Sequence, residues 1–285
     1  MKGSIKTYLL ALRMHQWVKN LLVLAPPFFG DVLFSGLDFF FMMVQAFMAF
    51  SLVSSTVYII NDIFDKQEDI AHPTKKFRPI ASDTLGNRSA IILACLTFVI
   101  SIVLSLSFGK PFIFLLVVYL LLNMAYSLFL QYIAFVDVVC IAIGFLLRVE
   151  AGGAASSVNV SSWLIIMTVI LSLLLAFGKR RFELGSRQEE NKLRGILGRY
   201  KVVHLDRLLV FLGIAAIVSY SLYSFSRGTW DFLMTSPFVC FGVIRYLYLV
   251  KTLQMGDPTE SFFNDKWLLI CVLIWFLITF VIIYI

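Results

Sequence analysis

Charge is what this chain has least of. Only 14% of its 285 residues are Asp, Glu, Lys or Arg, 60% are hydrophobic, and mean hydropathy is +0.90. An ordinary soluble domain carries about 25% charged residues, so that class is excluded. Cysteine is also scarce: Cys95, Cys140, Cys240 and Cys271 all fall in apolar runs without CxxC spacing. That pattern argues for small core residues over disulfides or thiolate metal sites. No small-residue cleavage site follows the first apolar run, which stands behind Lys2, Lys6, Arg13 and Lys19 and contains Pro26 and Pro27. A removable signal peptide is therefore not expected, and Met1 is expected to stay on.

What the chain has instead is apolar runs near bilayer-crossing length. They read as about nine spans, at roughly 20–36, 38–60, 89–107, 111–130, 133–153, 160–178, 207–225, 233–250 and 267–285. The expected class is an all-α polytopic membrane protein forming one transmembrane domain, 1–285, with no soluble appendage. The net charge of +7 need not mean nucleic acid, and no nucleic-acid partner is expected. With the N-terminus in the cytoplasm, the basic residues before span one and in 61–88, 179–207 and 251–266 all lie inside, leaving Lys110 and Arg227 in external loops. This satisfies the positive-inside rule and places the two long polar loops, 61–88 and 179–206, against anionic lipid on the cytoplasmic face of a plasma membrane.

The first of these loops contains NDIFDKQEDIAHPTKKFRP, residues 61–79. On a helix Asp62, Asp65 and Asp69 share one face, and like charges at that spacing repel unless a cation lies between them. Mg²⁺ suits such a site, because it is held by one or two carboxylates and completed by substrate phosphates. A solvated helix end is the plainer alternative. Pro73 and Pro79 bias His72 and Arg78 toward extended backbone, so the basic tail is expected to be an ordered flap. His72 itself reads as a turn residue.

The string N61-D62-x-x-D65-x-x-x-D69 resembles the first aspartate-rich motif of the UbiA superfamily of intramembrane prenyltransferases. The resemblance implies nine helices around a central, laterally open cavity. Members of that family have a second aspartate-rich motif after the sixth span. Here the position holds GKRRFELGSR, and 179–207 carries nine Lys/Arg against four Asp/Glu. That departure is similar to the decaprenyl-phosphate phosphoribosyltransferase branch. RMHQWVKNLLVLAPP (13–27), AHPTKKFRPIAS (71–82), AYSLFLQYIAFVDV (125–138), GFLLRVEAGG (144–153), GKRRFEL (178–184) and GDPTE (256–260) carry the likeness. It implies Mg²⁺-dependent transfer of 5-phosphoribose from phosphoribosyl diphosphate to a polyprenyl phosphate, in synthesis of a cell-envelope arabinose donor. Two alternatives stand beside it: prenyl transfer to an aromatic acceptor, and a lipid-binding or transport protein without catalysis. Oligomerisation is left open.

By resemblance and charge, Asp62, Asp65 and Asp69 are the metal and catalytic carboxylates, with Asn61 orienting them or the donor. Glu68 lies off that face. Lys75 and Arg78 are candidates for the donor phosphates, whereas Lys76 reads as a headgroup contact. Lys179 and Arg180 would clamp a phosphate, and Glu183 would bind a ribose hydroxyl or help fix the metal. Arg181 and the later bases read as solvated or lipid-facing. Lys19 and Asn20 are where a lipid phosphate would ride, and Tyr126 is a possible substrate contact. Trp17 reads as an interfacial residue. Asp137 and Arg148 are ionisable residues inside a span, costly unless paired or functional. Lying about 16 Å apart along one helix, they cannot pair with each other; Asp137 is expected to support the site and Arg148 to have a structural partner or to snorkel. Asp257 and Glu260 read as capping residues.

Overall fold

The computed structural model describes residues 5–185, 200–227, 230–252 and 264–285, and every regular element among them is helical. Asp257 and Glu260, and Arg187, Lys192, Arg194 and Arg199 of the second loop, lie outside the described residues. The chain forms two compact units, one of residues 1–131 and 147–160, the other of 132–146 and 161–285.

The first unit begins with α1 (Ile5–Ala11), a 3-10 segment (Met14–Leu24) and α2 (Ala25–Phe29). A single long span was expected over 20–36. The chain instead winds tightly and then restarts at Pro26 and Pro27, which lack the N–H that a helix interior requires but fit its first turn. There follow α3 (Leu37–Phe64), α4 (Lys66–Ala71), α5 (Asn87–Ser105), α6 (Gly109–Leu128) and, from Leu147 onward, the end of α7 (Val136–Ser156). Seven stretches of the described residues are long and apolar enough to cross a membrane. One of them, the 42-residue Asn87–Leu128, is two helices, because Gly109 takes a left-handed φ of 78° behind a 3-10 turn at Leu106–Phe108. Ile92, Leu96, Val99 and Val103 of α5 are exposed, as lipid-facing residues are.

Buried hydroxyls tie the 3-10 segment to α3. Trp17 Nε1 donates to Ser55 Oγ at 3.0 Å, Ser55 Oγ donates to Leu12 O at 2.8 Å, and Asn20 Nδ2 donates to Ser51 Oγ at 3.2 Å. On the α5 side Thr56 and Thr97 share a bond of 2.9 Å. Polar groups inside a span are tolerated when paired in this way. A small core of Ala11, Ile59, Ile80, Leu85, Ala90 and Ala94 lies beneath the first polar loop. Ile80 and Leu85 belong to the loop itself, and burying each stabilises it by about 1.5–3 kcal/mol.

The second unit takes the start of α7, then α8 (Ser162–Gly185), α9 (Val202–Ser226), α10 (Trp230–Leu233), α11 (Ser236–Lys251) and α12 (Lys266–Tyr284). Its core, including Val138, Leu174, Phe177, Tyr200, Leu205, Leu209 and Tyr246, seats the end of α8 and the start of α9. Asp265 caps α12 by accepting from Leu268 N–H at 2.8 Å, and Arg245 donates to its carboxylate at 2.6 Å.

Two expectations follow from these contacts. An alanine Cβ at Gly152 of α7 would stand 2.0 Å from the Val23 carbonyl oxygen, a backbone atom that cannot swing away. Gly152→Ala should therefore lower stability by about 1–3 kcal/mol, read as a fall in Tm in detergent. Gly242→Ala, whose Cβ meets nothing nearer than Leu268 at 4.0 Å, should melt like the parent; equal melting of both variants would disprove the close approach. Secondly, the hydrogen bond from Arg245 holds the Asp265 carboxyl below its ordinary pKa. The stability this contributes is present above the ordinary carboxylate range and is lost as pH falls through the lowered value. A Tm-against-pH curve for Asp265→Asn should be flatter than the parent curve on that acid side.

Candidate active site

Twenty-eight residues make α3 about 42 Å long at 1.5 Å per residue, more than a hydrocarbon layer of roughly 30 Å. Its last turn therefore stands clear of the hydrocarbon. The break at Asp65 is slight: Asp65 N–H donates to Asn61 O and Asp69 N–H to Asp65 O, each at 2.9 Å, so α4 carries on the ladder. Asp62 and Asp69 consequently fall on one side, and both are buried. Arg78 Nη1 lies between them, 2.7 Å from Asp69 Oδ2 and 3.3 Å from Asp62 Oδ1. Arg13 Nη2 also donates to Asp62 Oδ1. Among the described residues, carboxylate repulsion is thus relieved by two guanidinium groups. Asp65 is the half-exposed junction residue and is not a partner of Arg78; Asn61 is half-exposed beside it.

Arg13 reaches Asp62 from a left-handed backbone, φ 49° and ψ 48°, a conformation that costs about 1–2 kcal/mol and turns the chain from α1 into the 3-10 segment. Its guanidinium also lies 5.3 Å from the Tyr58 ring centroid. Burial outweighs the attraction of the Asp62 carboxylate and leaves the Arg13 pKa below its ordinary value. Sequence reading left Arg13 without a role, because nothing local connects it with a carboxylate 49 residues away.

The flap has the form its prolines predict. His72 and Arg78 are extended, at ψ 138° and 146°. His72 Nδ1 accepts from the N–H groups of Thr74 and Lys75, both at 3.1 Å, which makes it the turn's organiser. Lys75 starts the short 3-10 turn and is half-exposed, while the exposed Lys76 ammonium lies 5.2 Å from the Phe77 ring. Arg78, expected to contact the donor, is already engaged by two carboxylates.

Asn20 is buried within the first unit. Its Oδ1 accepts from Arg148 Nε at 2.8 Å and Ser54 Oγ at 3.3 Å, while its Nδ2 serves Ser51. Both ends of this buried amide are engaged by side chains of the same unit. Arg148 also donates to Tyr119 Oη at 2.8 Å and lies over the Tyr119 and Phe50 rings at 4.9 and 5.5 Å. This is the structural partner expected for an arginine inside a span. Lys19 is half-exposed on the same 3-10 segment, and Tyr126 is half-exposed in the last turn of α6.

In the second unit the three consecutive bases of GKRRFEL separate by role. Arg180 is buried: its Nε is 2.7 Å from Asp137 Oδ2 and its Nη1 2.5 Å from Glu183 Oε2. Arg181 Nε pairs with Asp206 Oδ1 at 2.6 Å. Lys179, half-exposed, makes no ion pair among the described residues. Of the two bases expected to clamp a phosphate, Lys179 is half-exposed and Arg180 is engaged by two carboxylates. Tyr200 O–H donates to Asp137 Oδ1 at 3.1 Å; burial pushes this phenol up to about 12, so it is protonated at neutral pH. Asp137, expected only to support the site, is its buried anchor, and Tyr200 carried no signal in the sequence.

The donor set around Arg78 also tests whether a divalent ion suits the chain. Oxygens of Asp62 and Asp69 converge on one cationic atom, and among the described residues no group of three His, Cys, Asp or Glu forms a cage. Two converging carboxylates without an all-protein cage fit a hard ion completed by ligand phosphates.

Known proteins resemble the chain over most of its length. The UbiA prenyltransferase family matches residues 23–264. A decaprenyl-phosphate phosphoribosyltransferase of Mycolicibacterium smegmatis is 33% identical, over 96% of this chain and 91% of that protein. One from Corynebacterium glutamicum is 32% identical, over 96% and 84%. The solved structure of a UbiA homolog from Archaeoglobus fulgidus bound to GPP and Mg²⁺ superposes with a TM-score of 0.76 at 15% identity, covering 97% of this chain and 99% of that one. The helical architecture, the apolar spans and these likenesses together establish that the chain is an integral membrane protein and belongs to the UbiA prenyltransferase family of transferases.

Proposed function

We propose that the protein transfers 5-phosphoribose from phosphoribosyl diphosphate to a polyprenyl phosphate, yielding a polyprenyl-phosphoryl-5-phosphoribose for synthesis of a cell-envelope arabinose donor. The observation that carries this reading is the pairing in the second polar loop. Asp137, Glu183 and Asp206 are each held by an arginine, while Lys179 has no carboxylate partner among the described residues. Such a loop favours an anion over a second metal cluster, and the names of the relatives at 31–33% identity point the same way. A donor with a single diphosphate and an acceptor that is itself a phosphate need one metal site and one basic site.

Asp62 and Asp69, with Asp65 by its place in the motif, would hold Mg²⁺, which supplies charge neutralisation to the departing diphosphate. Arg78, flanked by those carboxylates, and Lys75 on the flap bind phosphate oxygens, Arg as a fork and Lys as a point charge. An oxygen of the lipid phosphate attacks ribose C1 as its bond to the diphosphate breaks on the opposite face, with oxocarbenium character at C1. The attacking phosphate is already ionised, so no strong base is required of the protein. Lys179 binds a substrate phosphate, Glu183 receives a ribose hydroxyl, and Lys19 lies where the lipid headgroup enters. Both loops and the N-terminus face the cytoplasm of a bacterial plasma membrane, the side that holds a water-soluble sugar diphosphate.

Purified protein given Mg²⁺, labelled phosphoribosyl diphosphate and polyprenyl phosphate should put label into a lipid phosphodiester, and a chelator should stop it until Mg²⁺ is restored. Product formed only from a prenyl diphosphate and an aromatic acid would sink the proposal. Asp62→Asn should abolish turnover in folded protein. Lys179→Met should raise the KM of one phosphate substrate about tenfold, the scale of one charged hydrogen bond, while Arg181→Gln leaves it near the parent value.

A further inference from the structure

We infer that Asp137 and Tyr200 are positioning residues for Glu183, acting through Arg180; this rests on the transferase reading above. A directed chain of bonds joins them. Phe135 N–H donates to Tyr200 Oη at 2.7 Å, Tyr200 O–H donates to Asp137 at 3.1 Å, and Arg180 donates to Asp137 at 2.7 Å and to Glu183 at 2.5 Å. Side-chain exposure rises along it, from 0% at Asp137 through 5% at Arg180 to 20% at Glu183. Glu183 is thus the end that a ligand meets, and Asp137 is sealed away from substrate.

Three separate parts of the chain converge here: the start of α7, the last turns of α8, and Tyr200, two residues before α9. A helix end left to itself frays, and a carboxylate on it wanders. Arg180, gripped by a fully buried carboxylate, removes that freedom. A buried arginine between two acids is a weak source of stability but an orienting one, because both acids must keep their geometry to offset desolvation. Phe135 adds an independent sign. It holds a left-handed φ of 69°, unusual for an aromatic residue, while its N–H is bound by Tyr200 and its ring lies 4.9 Å from the Tyr200 ring. Strained backbone held by its surroundings clusters at functional sites.

The test is a double-mutant cycle on the purified full chain, run with whichever diphosphate donor the wild type turns over. A wrong donor assignment then shows in the wild type, and a wrong positioning assignment only in the cycle. Asp137→Asn should lower kcat/KM for the donor roughly 10- to 100-fold, the scale of a displaced catalytic contact. Added to Glu183→Gln it should cost nothing further, because both changes remove one function. Tyr200→Phe should give a smaller, several-fold loss, equally absent in the Glu183→Gln background, and it decides the matter alone if Asp137→Asn does not fold. Asp206→Asn, which breaks the neighbouring pair, should leave kcat/KM near the wild-type value. Wild-type kinetics in Asp137→Asn or Tyr200→Phe, or losses that multiply with that of Glu183→Gln, would overturn the inference and leave the cluster a packing device.

Discussion

An arginine held between two carboxylates occurs in each of the two units of this chain. Arg78 lies between Asp62 and Asp69 in one unit, and Arg180 between Asp137 and Glu183 in the other. Removing a charge from water is expensive, and the attraction of a partner offsets that cost only in good geometry with the remaining lone pairs satisfied. The planar, permanently charged guanidinium, with five donors, is the side chain that can satisfy two acids at once. Which acids converge, and which turns of α3, α4 and α8 are pinned, follow from it.

The two polar loops meet this constraint differently. In the first, both acids bracketing Arg78 sit where one helix nearly continues another, and a proline-bounded flap brings the arginine back to them. In the second, the arginine is deeper and ties Asp137 of α7 to Glu183 of its own helix, with Tyr200 bonded to Asp137 behind it, so the arrangement is a fixed mount. One loop brings an arginine back to two acids on neighbouring helical turns, and the other fixes a carboxylate at a helix end through a buried arginine.

Away from the loops, hydroxyls, amides and close backbone contacts perform the work that the hydrophobic effect performs in water. Ser51, Ser54 and Ser55 fasten the 3-10 segment along α3, Asn20 joins that segment to Arg148, and the bare Cα of Gly152 allows α7 to approach the backbone at Val23. These contacts place Arg13 beside Asp62 and hold the Asn20 amide against Arg148.

The class of the protein, most of its spans, the family and the loop that carries the carboxylates were legible in residue order, because each depends on local signals: apolar run length, the spacing of acids along a helix, and prolines that set the backbone before them. The GKRRFEL loop, standing where relatives have aspartates, pointed in the same way to the branch. The first span was misread because Pro26 and Pro27 leave the hydropathy of their run unchanged while breaking its helix. Which charge meets which was beyond the sequence. Arg13 finds Asp62 across 49 residues and Arg180 finds Asp137 across 43, and three adjacent bases that look equivalent in a line become a buried strut, a surface pair and one lysine without a carboxylate among the described residues. Ion pairing depends on distance in space and on burial, and both are set only once the helices have packed.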